Sequence, residues 1–400
     1  MSIEQASEQL HECMTRWYGV RRDQVKIVFA PYRVCPLGAH IDHQLGRVTA
    51  MALDRGILLA FAPRNAPEVK LRSLDFEGEV HVRFDDVAAP RVDDWGNYVR
   101  GAILALQRDF ALSEGLVGVT AGRVAEGGLS SSAAVGVAYL LALQDVNQLA
   151  VTPKQNIALV QRIENQYLGL RIGILDQSAI LLSRRNALTV IDCADVTHSL
   201  IQWPTPPLPF GILVAFSGLR QSLAGTDYNQ RVTECTEAAR QLLQASGRPE
   251  DPPRLRSVTP QEYQAHATCL SGPPARRAQH FFSEMERVRR GVAVWNQGDV
   301  QTFGKLITES GASSIHHYEC GAPPLIDLYQ ALIETPGVFG ARFSGAGFRG
   351  CCLALIDPSR SEEIASRVMR VHARRHPELA SSAWSMACNT DNGARFLESA

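Results

Sequence analysis

The sequence has no C-x-x-C pair, no apolar run long enough to cross a bilayer and almost no net charge. Its nine cysteines, at positions 13, 35, 193, 235, 269, 320, 351, 352 and 388, form an odd and scattered set. That set fits reduced thiols and excludes a zinc ribbon or a disulfide framework. The longest apolar stretches, 133–143 and 351–356, fall short of the ~20 residues that a spanning helix needs. Forty Lys plus Arg face 41 Asp plus Glu, a formal charge of −1, which provides no field for holding a polyanion or an anionic lipid surface. Neither nucleic acid nor membrane is therefore expected as a partner. Residues 1–12 carry Glu4, Glu8 and Glu12 and lack both a basic start and an apolar core, so they read as the beginning of an ordinary helix and not as a secretion signal. The expected compartment is the cytoplasm.

With 400 residues, of which 45% are hydrophobic, the chain can bury a sizeable core in two or three domains of roughly 150 residues each. The patterning predicts strands over 25–30 and 51–62 with a Gly/His/Asp loop over 31–46 between them, a hairpin over 70–84 and a helix over 95–110. It predicts a strand over 117–124, a helix over 133–149, a second helix opened by Thr152-Pro153 and closed by Gly169, and a strand over 187–193. Pro204, Pro206, Pro207 and Pro209 interrupt any regular element, which divides the chain into 1–203 and 204–400. The second half reads as a strand over 212–217, helices over 229–245, 278–296 and 300–310, and strands over 338–344 and 351–356 around a glycine turn. Residues 246–274 read as loop.

Four segments carry chemistry. Gly127-Gly128-Leu129-Ser130-Ser131-Ser132-Ala133-Ala134 places glycines and hydroxyls at a helix start, where free N–H groups and the helix dipole favour an anion. A plain serine-capped helix is the alternative, and a Walker A loop is excluded because no Gly-Lys-Ser/Thr follows. Gly345-Ala346-Gly347-Phe348-Arg349-Gly350 matches G-x-G-x-x-G, but Cys351-Cys352-Leu353-Ala354-Leu355-Ile356 is strand sequence, so this is a strand-turn-strand and not a dinucleotide fingerprint. Arg33, His40, Asp42 and His43 crowd one segment and suit a polyhydroxylated ligand, or else pair locally in a solvated loop. Glu164 and Asp176, bracketing Gly169 and Gly173, can converge as a magnesium ligand and a base, or stand apart as exposed helix charges.

Together these segments resemble the GHMP sugar and metabolite kinases, most closely the galactokinase branch. Residues 30–42, A-P-Y-R-V-C-P-L-G-A-H-I-D, are similar to that branch's A-P-G-R-V-N-L-I-G-E-H-T-D. Residues 127–134 are similar to its G-x-G-L-S-S-S-A loop, and Glu164 through Gly173-Ile174-Leu175-Asp176-Gln177 to its E…G-x-x-G-I-M-D-Q. Residues 340–348, G-A-R-F-S-G-A-G-F, resemble its third motif, while Trp95-Gly96-Asn97-Tyr98 and Tyr228 with Arg231 match its W-x-N-Y and Y-x-x-R. The matches run in family order from position 30 to about 350.

The resemblance implies a two-domain fold, α+β and α/β in character, with mixed sheets, helices and the active site in the inter-domain cleft. It implies ATP and Mg2+ as cofactors, Asp176 as the catalytic carboxylate and Arg33 as the cation beside it. Ser132 and Glu164 would hold the metal. Gly127, Gly128, Leu129, Ser130, Ser131 and Ser132 would cradle the triphosphate, supported by Gly345 and Gly347, and Trp95 and Tyr98 would pack the adenine. Ala39, His40, Asp42, Gly173 and Tyr228 would line the sugar site. Partners would be small molecules, on a monomer or weak homodimer.

The branch has Glu where this chain has Ala39, and that Glu faces the sugar's C6 hydroxyl. Its absence relieves a repulsion of ~1 to 4 kcal/mol on a C6 carboxylate, and the run A-P-Y-R-x-C-P-L-G-A-H-I-D-H-Q resembles the galacturonokinases of plants. A sugar-1-kinase acting on D-galacturonate is expected, with a galactokinase, a broad uronate kinase or a non-catalytic sugar sensor as alternatives. His43, Arg220 and Arg231 are the candidate donors to the carboxylate.

Overall fold

The computed structural model describes residues 3–122, 128–205, 207–219, 226–348 and 350–398. Strands β1 (Lys26–Val34), β2 (Arg47–Arg64), β3 (Glu68–Ser73), β4 (Glu79–Arg83), β5 (Gly115–Ala121), β6 (Ala187–Asp192) and β7 (Thr197–Gln202) build the first sheet. A second, four-stranded antiparallel sheet takes β8 (Gly211–Phe216), β9 (Val338–Phe343), β10 (Cys351–Ile356) and β11 (Trp384–Cys388) in the order β11-β8-β10-β9. The last two strands, β12 (Thr390–Asp391) and β13 (Arg395–Leu397), return to the first sheet and pair with β2 and β1. A cut at residues 203 and 204 therefore separates the two sheets only as far as β11. The first sheet is mixed, its β3–β5 pair being parallel while β1–β2 and β2–β5 are antiparallel.

Helices α1 (Ile3–Tyr18), α2 (Asn97–Gln107), α3 (Ser131–Val146), α4 (Pro153–Arg162) and α5 (Leu175–Leu182) belong to the first half. The second half adds α6 (Tyr228–Ala245), α7 (Pro260–His266), α8 (Gly272–Asn296), α9 (Val300–His316), α10 (Pro323–Ile333) and α11 (Ser361–Arg375). No described helix is long and apolar enough to cross a membrane. Helix α3 is apolar on almost every side and is correspondingly buried from Ala133 through Leu143, except for Leu141. One apolar core runs through both halves, joining Val28, Phe61 and Leu140 to Ile212, Val214 and Leu353.

Three sequence expectations change. Residues 31–34 are strand and not loop: β1 continues through Pro31, where its register against β2 shifts between Pro31 and Arg33. A bulge of this kind tolerates a proline that lacks an N–H and re-aims the side chains that follow. Residues 246–274 contain α7, opened by Thr259, whose Oγ1 accepts from the Glu262 N–H while Glu262 reaches back to the Thr259 N–H. This capping box repeats the chemistry of Thr152 and Gln155 at the start of α4. The helix from Thr152 also changes character after Arg162, becoming a π turn over Ile163–Tyr167 before Gly169, at φ +72°, ends it.

The halves are pinned by Trp295 of α8. It is fully buried, donates Nε1–H to the Ile201 carbonyl of β7 at 3.0 Å and packs edge-on against Trp203 at 4.7 Å and Phe303 at 5.2 Å. Trp295→Ala should lower unfolding stability by about 3–5 kcal/mol through lost burial and an unfilled cavity. Urea unfolding checks this, and an unchanged midpoint would contradict it.

Candidate active site

Arg33 emerges from the β1 bulge fully buried, and its Nε donates to Asp176 Oδ1 at 2.7 Å, with Nη2 at 2.7 Å from the same oxygen. Asp176 lies in the first turn of α5. Its second oxygen accepts from the Ser130 hydroxyl. Ser130 is the N-cap residue of α3, yet its side chain makes no cap bond: at φ +57° it turns away from the helix and toward Asp176. The serine cap expected from the sequence is thus replaced by a bond to the carboxylate. Leu129 takes part through its carbonyl, which accepts from the Arg33 N–H at 3.4 Å.

Glu164 sits on the π turn, 2% exposed, with Ser132 hydrogen-bonded to it. Burial, added to the charge of Asp176 and opposed by the Ser132 bond, pushes its carboxyl up to about 7. Its Oε1 has no hydrogen-bond partner, and neither does Arg33 Nη1. A buried carboxylate oxygen left open beside a serine hydroxyl and a second acid fits a hard divalent cation such as Mg2+, which takes one or two carboxylates and completes its shell with phosphate and water. No group of three or more His, Cys, Asp or Glu among the described residues could hold a metal by itself.

Gly128, Leu129, Ser130, Ser131 and Ser132 lead into α3, whose start carries the positive end of the helix dipole; Gly127 lies outside the described residues. The third motif bears on this loop directly. A Cβ on Gly345 would stand 2.8 Å from Gly128 Cα, and Ser344 Oγ donates to the Gly128 carbonyl at 2.5 Å. Gly347 lies elsewhere, where a Cβ would come within 2.8 Å of Cys320 Sγ and 3.4 Å of the His40 ring. Gly345 thus lies against Gly128 and Gly347 beside His40. Trp95 stacks on Phe76 at 6.2 Å, and Tyr98 packs partly buried in α2 against the core.

On the other side of Asp176, Asp42 Oδ2 accepts from the Leu175 N–H at 3.3 Å, and the Gly173 backbone approaches so closely that a Cβ there would fall 2.3 Å from the same oxygen. Only glycine fits at that position. Burial, then the charge of Asp176, raises the Asp42 carboxyl to about 6. His40, at φ +60°, stacks flat on Tyr318 at 4.4 Å, and Tyr228 meets the His43 ring edge-on at 6.3 Å. The Ala39 carbonyl accepts from His280 Nε2 at 2.9 Å, and Glu284 Oε2 accepts from the Gly38 N–H at 2.8 Å. His280, Glu284 and Tyr318 are thus site-supporting residues that no local motif announces.

The candidate carboxylate donors separate. Gln44 Oε1 accepts from the Leu255 N–H at 3.1 Å, so Gln44 Nε2 is the group that donates to His43 Nδ1 at 3.3 Å. His43 then carries its proton on Nε2 and spends it on Tyr318 Oη at 3.2 Å. Burial, with Arg254 and His280 nearby, pushes its pKa down to about 3. His43 therefore has no free donor for a substrate. Arg220 lies outside the described residues. Arg231, one turn after Tyr228, binds Glu234 at 3.2 Å and the Glu319 carbonyl at 3.2 Å through its Nη atoms, while its buried Nε has no hydrogen-bond partner.

Comparison with known proteins agrees with this geometry. Residues 97–184 match the GHMP kinases N terminal domain, residues 289–372 the GHMP kinases C terminal domain, and residues 15–63 the galactokinase galactose-binding signature. The chain is 48% identical to a galacturonokinase of Arabidopsis thaliana over 97% of both chains, and 32% identical to a human galactokinase over 87% of this chain and 86% of that one. The solved Lactococcus lactis galactokinase complexed with galactose superposes with a TM-score of 0.88 at 26% identity, covering 98% of this chain and all of the other.

A carboxyl raised in the folded state favours the folded protein below its unfolded value near 4 and loses that contribution as pH rises through about 6. For Asp42 the loss amounts to about 3 kcal/mol. In ligand-free protein, Asp42→Asn should therefore flatten the fall in Tm between pH 4.5 and 7.5. Parallel Tm curves for the two proteins would contradict the assignment.

Proposed function

The chain belongs to the GHMP kinase family, and from that premise we propose that it phosphorylates the anomeric hydroxyl of D-galacturonate to give D-galacturonate 1-phosphate at the expense of ATP. The observation that carries this reading is an intact Arg33–Asp176–Ser130 constellation with Ala39, and no acid, beside His40. A sensor built on this fold would have no need to keep that constellation.

Bound Mg2+–ATP supplies the phosphoryl group and neutralises its charge. Ser132 and Glu164 are the residues suited to hold the metal, and the first turn of α3 with Gly128 to Ser131 is suited to the phosphates. Trp95 and Tyr98 would flank the adenine. Asp176 orients the sugar's C1 hydroxyl and takes its proton, while Arg33, fixed by its two bonds to Asp176, keeps Nη1–H for charge that develops during transfer. His40, Asp42, Tyr228 and the Gly173 main chain would contact the ring hydroxyls. At C6 the small Ala39 leaves a carboxylate unopposed, and Arg231 is the candidate that retains an uncommitted donor. Nine cysteines, none of them in a disulfide and eight of them buried, support a cytoplasmic site of action.

ADP release measured with galacturonate, galactose, glucuronate and glucose tests the reading. Galacturonate should give the highest kcat/KM, whereas a preference for galactose would establish the second reading, which the galactose-binding signature favours. Ala39→Glu should lower kcat/KM for galacturonate at least about tenfold, since ~1.4 kcal/mol of repulsion suffices. It should affect galactose less, because a neutral C6 hydroxyl can donate to the new acid; equal losses on both sugars would refute this account of Ala39. Asp176→Asn should reduce kcat by roughly 10² to 10⁴-fold with nucleotide affinity held within a few fold, and calorimetric titration of ATP alongside the rate assay checks both.

A further inference from the structure

Residues 168–174 form a strap between the π turn and α5, and its hydrogen bonds are unusually concentrated on two asparagines. Asn165 Oδ1 accepts from the Ile172 N–H at 3.1 Å, and Asn165 Nδ2 donates to the Ile172 carbonyl at 3.1 Å. One side chain thus satisfies both main-chain groups of one residue, which fixes the orientation of the peptides on either side. Gln161 Nε2 adds a second donor to the same carbonyl at 3.2 Å. At the outer end, Asn229, the neighbour of Tyr228 on α6, accepts from the Arg171 N–H at 3.2 Å and donates to the Gly169 carbonyl at 3.4 Å.

The π turn explains how one helix end serves two sites. The Leu168 N–H reaches back five residues to the Ile163 carbonyl at 3.1 Å, a wider turn than the α-helix and one often found at functional positions. Successive side chains then diverge: Glu164 meets Ser132, and Asn165 meets Ile172. The peptide after Ile172 belongs to Gly173, whose backbone lies against Asp42 and whose carbonyl accepts from Gln177 Nε2 at 3.1 Å. Three residues on stands Asp176.

We propose that Asn165 is a positioning residue for phosphoryl transfer, holding the strap so that the Gly173 main chain and Asp176 face the sugar from fixed places. This rests on the reading of the site as a sugar-kinase centre. Loss of the clamp moves the strap and the start of α5, which touch the sugar side, and leaves α3 and its phosphate-binding end in place.

The test is a steady-state comparison of wild type, Asn165→Ala and Asn165→Asp on the sugar that the wild type turns over best. Asn165→Ala should raise the sugar KM at least fivefold and lower kcat at least tenfold, with the ATP KM within twofold. Asn165→Asp keeps the acceptor for the Ile172 N–H but turns an oxygen toward the Ile172 carbonyl, and should raise the sugar KM at least threefold. A merely structural role would reduce the active fraction and hence kcat, leaving both KM values alone. A folded Asn165→Ala protein with sugar KM within twofold of wild type overturns the proposal; if that variant does not fold, the same twofold limit applied to Asn165→Asp decides. A wild type that prefers galactose refutes the galacturonate reading and leaves these ratios to be read on galactose. Should no sugar be turned over, the kinase reading fails, and hydrogen exchange of ligand-free protein decides: the Ile172 and Gly173 amides should exchange at least tenfold faster in Asn165→Ala, and unchanged exchange overturns the clamp.

Discussion

The contact between buried Arg33 and half-buried Asp176 is the constraint around which the rest of the site is arranged. Its two members are contributed by a bulged strand of the first sheet and by the first turn of a short helix, and Ser130 of the phosphate loop closes the triangle. Such a partly buried pair contributes little net stability, because loss of hydration, above all at the buried guanidinium, offsets the attraction. Its value lies in geometry. The pair fixes the angle at which α5 meets β1, and Ser130, by bonding Asp176 in place of its own helix, ties the start of α3 to the same point. Strand β1, the start of α3 and the start of α5 are all referenced to one carboxylate.

Behind this triangle lies a polar layer that would be costly if unsatisfied, and most of it is satisfied. Glu284 holds the Gly38 amide and the Ser310 hydroxyl, and although burial opposes its charge, Arg287, His280 and Arg342 keep its pKa low. His280 bridges Ser313 and the Ala39 carbonyl, which fixes its proton on Nε2, and burial drives its pKa down to about 4. The histidines around Asp42 are therefore neutral rings, and the fixed positive charge there comes from arginine. The arginine charge there stays constant with pH, whereas the nearby Asp42 carboxyl, raised to about 6 by burial and the charge of Asp176, becomes negative as pH rises through that value.

Motif residues were legible because their chemistry is local. Glycines and serines at a helix start, a carboxylate after a glycine turn and a histidine two residues before an aspartate can each be read within a dozen positions. The strand through Arg33 was not legible, since Pro31 reads as a breaker until the partner strand and its bulge are known. Nor were His280, Glu284 and Tyr318, which contact the loop between β1 and β2 from more than two hundred residues away in sequence. Ser130 shows the limit most clearly: its type and place predicted a helix cap, and only the backbone at positive φ reveals the bond to Asp176. Residues 260–266 were lost for a simpler reason, a Thr-Pro-x-Glu start inside a polar stretch that hides the capping box.

The return of β13 to the edge of β1, pairing Ile27 with Leu397, has a consequence for synthesis on the ribosome. Strand β1 carries Arg33, yet one of its two neighbours follows it in the chain by more than 350 residues. Until then its outer edge presents unpaired amides and carbonyls beside apolar side chains, the kind of surface that recruits foreign strands. More than 350 residues must be translated after β1 before that edge is covered, so the nascent chain passes through a prolonged aggregation-prone interval that chaperone capture would shorten in effect.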